Sequence, residues 1–240
     1  EYLQSVSGVV RAADAAETAE EEGETANELQ EEEREAELAK ERHLLASFRK
    51  YAARNAVGGD SVWNWLSLAK HHGLPTRLLD WTYSPLVAAH FATAIPTRTQ
   101  DRAIWRLDWR AVHRRFGFPE LALFTRDLDA TLNDGRGTLT PWTLFDEALG
   151  DREFACMVEP PSLDARIVAQ SAVFTFMSDT TCSFEEFLER HDLGDALTRF
   201  VIPAQEVACI RDQLDLVGMD ERRLFPDLDG VAEGLRRYYS

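Results

Sequence analysis

Cysteine is scarce in this sequence. The three present, Cys156, Cys182 and Cys209, form neither a C-x-x-C pair nor an even-numbered disulfide framework. No run approaches the roughly 18 uninterrupted apolar residues of a membrane span, and the first residues lack the basic-then-apolar order of a signal peptide. Both absences point to a cytoplasmic protein with reduced thiols and no membrane partner. Basic residues are also few, 26 Lys and Arg against 42 Asp and Glu, for a net charge of −16. A broad basic face for a phosphate backbone is therefore not expected, and nucleic acid is not favoured as a partner. The six histidines make no H-x-x-x-H and no His/Cys cluster, so no zinc site is expected. "NDGRG" lacks the Lys-Ser/Thr of a P-loop, and neither G-x-G-x-x-G nor G-x-S-x-G occurs.

What remains is a 240-residue chain, 45% apolar, long enough to bury a sizeable core. Its charge is uneven. Residues 17–43 hold twelve acidic and three basic residues, or −9; residues 1–16 contribute −1, leaving −6 for the rest. That acidic stretch is rich in helix formers but has almost no apolar face up to residue 37. It reads as a segment over residues 1–37, helical or partly disordered, with an acidic arm for a basic partner as the functional alternative. From Leu38 the pattern changes: Leu38, Leu44, Leu45, Phe48 and Tyr51 recur at helical spacing, so a folded domain is expected over residues 38–240.

Asp60 or Ser61 can cap a helix through "VWNWLSLAKHHG", closed by Gly73. "RAIWRLDW" reads as a strand, and residues 113–165 as a loop-rich middle. "RIVAQSAVFTFM" is the strongest strand pattern, "SFEEFLERH" carries a Ser183–Glu186 capping box, and "LTRFVIPA" is a strand ended by Pro203. Two amphipathic helices close the chain. Strands among helices without regular alternation predict α+β, a single mixed domain with a central sheet flanked by helices behind the acidic segment.

The densest chemistry lies in "HHGLPTRLLDWTYSPLVAAHFA", residues 71–92. Ser84 is a natural N-cap and Pro85 suits the first helical position. The helix after them is apolar nearly all round, which predicts burial. Its first N–H groups carry partial positive charge and can bind an anion. Arg77 adds a guanidinium fork, Thr76, Thr82 and Ser84 add hydroxyls, and Trp81 adds a stacking surface, which together make a cradle for a nucleotide. The competing reading is plainer: Arg77 pairs with Asp80, Trp81 belongs to the core and Ser84 only caps. His72 is either a candidate base or a structural helix-terminal residue, and His90, mid-helix, reads as a satisfied buried histidine.

This stretch resembles the signature of the FRG-domain family, "QH-x-GLPTRLLDWT-x-x-PLVA-x-x-FA". It matches through His72, the run Gly73 to Thr82, Pro85 to Ala88, Phe91 and Ala92, with Lys70 or His71 where the family has Gln. "RIVAQSAVFTF" is similar to the family's "RI-x-x-Q-x-G-x-F" through Arg166, Ile167, Gln170 and Phe174, and "FVIP" and "LFPDLDGVAEGL" resemble its closing elements. The Phe-Arg-Gly that names the family does not occur; Arg11 in "VVRAAD" stands at a roughly suitable distance.

The order of these blocks is similar to the ADP-ribosyltransferase plan, and that likeness implies NAD as substrate. In that plan an arginine holds the NAD, a Ser/Thr segment supports the nicotinamide ribose, and a Glu bonds the ribose 2′-hydroxyl, a place that Gln170 would take here without the negative charge. It implies Gln170, Asp80 and Thr82 at the reacting bond, with Glu159 a lesser carboxylate. Arg77, Thr76, Ser84, Trp81, Arg11 and His72 would then surround the nucleotide. ADP-ribose would pass to a macromolecular acceptor or to water. A non-catalytic nucleotide- or partner-binding module is the alternative.

Overall fold

The structure, a computed structural model, describes residues 19–52, 61–95, 100–125, 127–128, 153–162 and 165–239. The protein is a mixed α+β fold. It falls into two compact units interleaved along the chain: Glu1–Leu78, Arg126–Ala155 and Met177–Asp192 form one, and Leu79–Thr125, Cys156–Phe176 and Leu193–Ser240 the other. No helix among the described residues is long and apolar enough to cross a membrane.

In the first unit, α1 (Ala19–Tyr51) is one continuous helix that runs without a break past residue 37. Leu45 is fully buried and Leu38, Leu44 and Phe48 half-buried, as their spacing predicts, but Tyr51 at the helix end is exposed. Glu41 is buried on the same helix. Helix α2 (Val62–His71) starts at Ser61 and buries Val62, Trp63, Trp65, Leu66, Leu68 and Ala69. It ends as predicted at Gly73, whose φ of +81° is the left-handed turn that closes a helix. The Gly73 N–H reaches the Lys70 carbonyl and the Leu74 N–H the Ala69 carbonyl, both at 2.9 Å.

The second unit holds the strands β1 (Leu78–Thr82), β2 (Arg102–Leu107), β3 (Leu123–Phe124), β4 (Ala155–Glu159), β5 (Ala172–Met177) and β6 (Leu197–Ile202), except for the end residues Leu78, Ala155 and Met177, which are assigned to the first. A four-stranded sheet runs in the order β1-β5-β4-β3, with β3 parallel to β4, and β2 pairs antiparallel with β6 from Arg102↔Ile202 to Leu107↔Leu197. β4 lies in what the sequence suggested was a loop-rich middle. Ala155, Cys156, Met157 and Val158 are all buried, and an apolar run without alternation is how a strand covered on both faces reads.

Several elements depart from expectation for local reasons. Trp109 is no strand residue but the first residue of α4 (Trp109–Phe116), because the Asp108 carboxylate caps that helix through the Ala111 N–H at 3.2 Å. "RIVAQSAVFTFM" splits into a short helix α5 (Ala165–Ala169), a turn with Ser171 at φ 47°, and β5. Helix α3 (Pro85–Thr93) buries only Val87, His90 and Thr93, while Leu86 and Phe91 are 45% and 47% exposed. The capping box of α6 (Phe184–Arg190, first unit) forms as read, with Ser183 and Glu186 reciprocally bonded.

After α7 (Val207–Leu216) the closing stretch breaks at Pro226 into α8 (Glu221–Leu224) and α9 (Leu228–Tyr239). Val87 packs with Leu214, Met219 and Leu224 in the core of this unit. A buried ion network ties the same helices together. Glu221 meets Arg211 with one oxygen and Arg237 Nε with the other at 3.0 Å, and Arg237 reaches Asp215 at 2.6 and 2.7 Å.

Candidate functional site

Arg77 was the centre of the expected cradle. Its side chain has 0% exposure. Nε donates to Glu41 Oε2 at 2.7 Å, Nη2 lies 2.7 Å from the same oxygen, and Nη1 donates to the Ser178 carbonyl at 3.0 Å. The Arg77 backbone N–H donates to the other Glu41 oxygen at 2.9 Å. The carboxylate that holds Arg77 is thus Glu41 on α1, where the plainer reading named Asp80. A cation sealed this way is tolerated because its acid is equally buried and hydrogen-bonded, and removing either partner would strand the other charge. Thr76, also buried, turns its hydroxyl to the Leu78 N–H at 3.3 Å. His72 is exposed at the end of α2, its ring 6.3 Å from Phe48. These residues lie in the first unit. Arg11 lies outside the described residues.

The rest of the signature builds the second unit. On β1 the Trp81 indole N–H donates across to Thr175 Oγ1 on β5 at 3.0 Å. The Thr82 hydroxyl donates to the Gln170 carbonyl at 2.7 Å and accepts from the Ser84 N–H at 3.0 Å. Ser84 Oγ accepts from the Val87 N–H at 3.4 Å, so it caps α3 as predicted. Two of the amides expected to cradle an anion are therefore taken by the chain's own hydroxyls. Asp80 is exposed on the same strand. Tyr83 donates to Glu159 Oε1 at 2.9 Å, and burial, then that bond and the carboxylate's charge, push the phenol up from its ordinary range.

Gln170 is not on a strand. It sits in the turn after α5, where its amide donates to the Leu224 carbonyl at 3.1 Å. One turn earlier, Arg166 pairs with Asp227 and lies over the Phe225 ring at 5.6 Å. Arg166 on α5 and Gln170 in the turn just after it thus grip the α8–α9 corner at either side of Phe225. Asp227 also caps α9 through the Gly230 N–H at 2.9 Å. The structure therefore brings Thr82, Ser84 and Gln170 together through mutual hydrogen bonds, and fits "RIVAQ" to "LFPDLDG".

Glu41 was the residue missed. Its signal was available: Leu38, Glu41, Leu45 and Phe48 lie at steps of three and four, which puts one acid on the apolar stripe. His113, also missed, is fully buried. Its Nε2 accepts from the Met157 N–H at 2.7 Å, which leaves Nδ1 to donate to the Pro119 carbonyl at 2.5 Å. His90 is buried as expected, with Arg211 Nη1 3.0 Å from its Nδ1. Burial lowers the pKa of both rings; the Arg211 charge adds to this at His90.

The architecture is that of a mixed α+β protein whose signature block is bonded into its own fold. A family model described as FRG domain matches residues 17–101. No curated protein and no solved structure matches it.

Proposed function

We propose that this chain is a non-catalytic FRG module that binds a protein partner, with its signature block serving as architecture. One observation carries the reading: the Arg77 guanidinium is sealed against Glu41 and the Ser178 carbonyl. Catalysis needs donors and acceptors aimed at the place where charge develops. Here the Thr82 hydroxyl, the Gln170 amide, the Ser84 hydroxyl and the Trp81 indole all bond to neighbours in their own unit. A protein partner suits the outward side chains of and beside α3, with Tyr83, Leu86, Phe91 and Ile95 between 45% and 63% exposed. The net charge of −16 argues against nucleic acid.

Transfer or hydrolysis of ADP-ribose from NAD is the second reading. It is favoured by Asp80, an exposed carboxylate beside Trp81 on β1, since an oxocarbenium-like transition state is best met by negative charge. The two readings separate when purified protein is incubated with NAD and mixed protein and nucleic-acid acceptors, and released nicotinamide is followed by chromatography. The binding module gives no release above an Asp80→Asn control. Release that this substitution abolishes would replace it with the second reading.

A further inference from the structure

One atom of His90 faces two partners with opposite needs. Its Nδ1 lies 3.0 Å from Arg211 Nη1 and 3.3 Å from the Met219 carbonyl oxygen. An arginine only donates and a carbonyl only accepts. Without a proton, Nδ1 accepts from Arg211 and gives the Met219 carbonyl nothing. With one, it serves Met219 and turns an N–H on Arg211. His113 carries no such conflict, since its Nε2 meets the Met157 N–H and its Nδ1 the Pro119 carbonyl.

The charges around His90 leave little to absorb another cation. Glu221 on α8 already meets Arg211 with one oxygen and Arg237 of α9 with the other, and Asp215 on α7 is held by Arg237. β2, which also packs on α3, brings Arg102 and Arg106 and no acid. Burial first, then the Arg211 charge, keep the ring neutral, while the Met219 carbonyl and Glu221 pull towards protonation. Arg211 Nε is buried with no acceptor among the described residues, so Glu221 and His90 carry the hold of this arginine on its place.

The apolar contacts of α3 with the closing helices lie beside the same atoms. Val87, one turn before His90, packs with Leu214, Met219 and Leu224, and Phe91, the next residue, lies 6.1 Å from Phe225 at the α8–α9 corner. Two cations meeting in so apolar a place repel strongly.

We propose that His90 is an acid-operated latch: a proton on Nδ1 exchanges Arg211 for the Met219 carbonyl, and the displaced guanidinium loosens α7, α8 and α9 from α3. The latch is independent of the partner-binding reading, and its test needs no partner. In the opened state the ring titrates as a free histidine, near 6.5, and in the closed state lower. Opening therefore becomes easier as pH falls below 6.5, by up to about ten-fold per pH unit for one proton.

Hydrogen exchange of the whole chain, read by mass spectrometry at roughly pH 7.5 and pH 5 and corrected for the intrinsic rate, tests it. Segments from α7 to α9 are expected to lose about ten-fold or more in protection at the lower pH, while α2 in the first unit keeps its own. His90→Asn, which puts an amide near the place of Nδ1 and takes up no proton, is expected to abolish the loss. Arg211→Met leaves Glu221 paired with Arg237 and is the second variant. With no cation to displace, the loss disappears there too, and the His90 ring signal in NMR titrates at a higher pH. A wild type whose α7–α9 segments are equally protected at both pH values would overturn the proposal. So would a loss of equal size in both variants, or a His90 titration that Arg211→Met leaves unmoved.

Discussion

The Glu41 carboxylate grips Arg77 twice, one oxygen on the backbone N–H at 2.9 Å and the other on Nε at 2.7 Å. A buried pair of this kind is far more costly to halve than to remove. Arg77→Met leaves the Glu41 charge buried alone and is expected to lose about 3 to 5 kcal/mol of unfolding free energy. The double variant Glu41→Met/Arg77→Met is expected to recover most of it. Urea midpoints with matched slopes give the comparison, and a double variant as unstable as the single would sink the account.

Two glycines on one face of α9 predict opposite outcomes. A Cβ at Gly230 would run into the Phe225 carbonyl oxygen, a backbone atom that cannot yield without moving the α8–α9 corner. Gly230→Ala is expected to cost about 3 kcal/mol. At Gly234 the nearest atom is Arg222 Cγ at 3.2 Å, on a flexible and largely exposed side chain. Gly234→Ala is expected to be neutral, or to gain up to about 1 kcal/mol from helix propensity. Thermal unfolding of the two variants side by side settles the point.

Acid acts on this fold through two separate groups. His113 and His90 are held neutral by burial, below the 6.5 at which an unfolded histidine titrates. The unfolded chain therefore takes up protons first, and stability falls as pH drops from about 6.5. Asp179 behaves in its own window. Burial alone would raise its pKa, but bonds from Arg190 and Thr181 outweigh that and hold it at about 2 against an ordinary 3.8. Its share, about 2 kcal/mol, is complete above pH 3.8 and is lost as pH falls towards 2. Urea midpoints from pH 7 to pH 2 are expected to show both declines, and Asp179→Asn to flatten only the lower one.

Gln170→Glu discriminates an architectural residue from a reacting one. A carboxylate at this position would replace the N–H that the Leu224 carbonyl accepts and set two acceptors against each other, costing about 1 to 3 kcal/mol. If the side chain instead faced a bound ribose, the added negative charge would raise nicotinamide release. Loss of stability without any gain in NAD turnover is the expected result.

Much of the fold was open to reading from local chemistry. Ser84, Pro85, Ser183, Glu186, Gly73 and Pro203 stand where caps, starts and stops were placed, because each acts on the few residues beside it. Reading failed where a distant partner decided the outcome. Nothing near Arg77 in sequence reveals Glu41, 36 residues earlier, or the Ser178 carbonyl, 101 residues later. The same holds for Gln170, whose strand-like surroundings hide a helical turn that reaches Leu224. The Thr82 hydroxyl does meet Gln170, at its backbone carbonyl. Whether such groups face a ligand or one another is decided by the path of the whole chain.

A guanidinium enclosed with its own acid also links two positions in evolution. Neither residue 41 nor residue 77 can drift by itself without stranding an ion away from water. Descendants of this sequence will therefore keep Glu41 and Arg77 together or surrender both, and an aligned set of them would show the two columns changing in step.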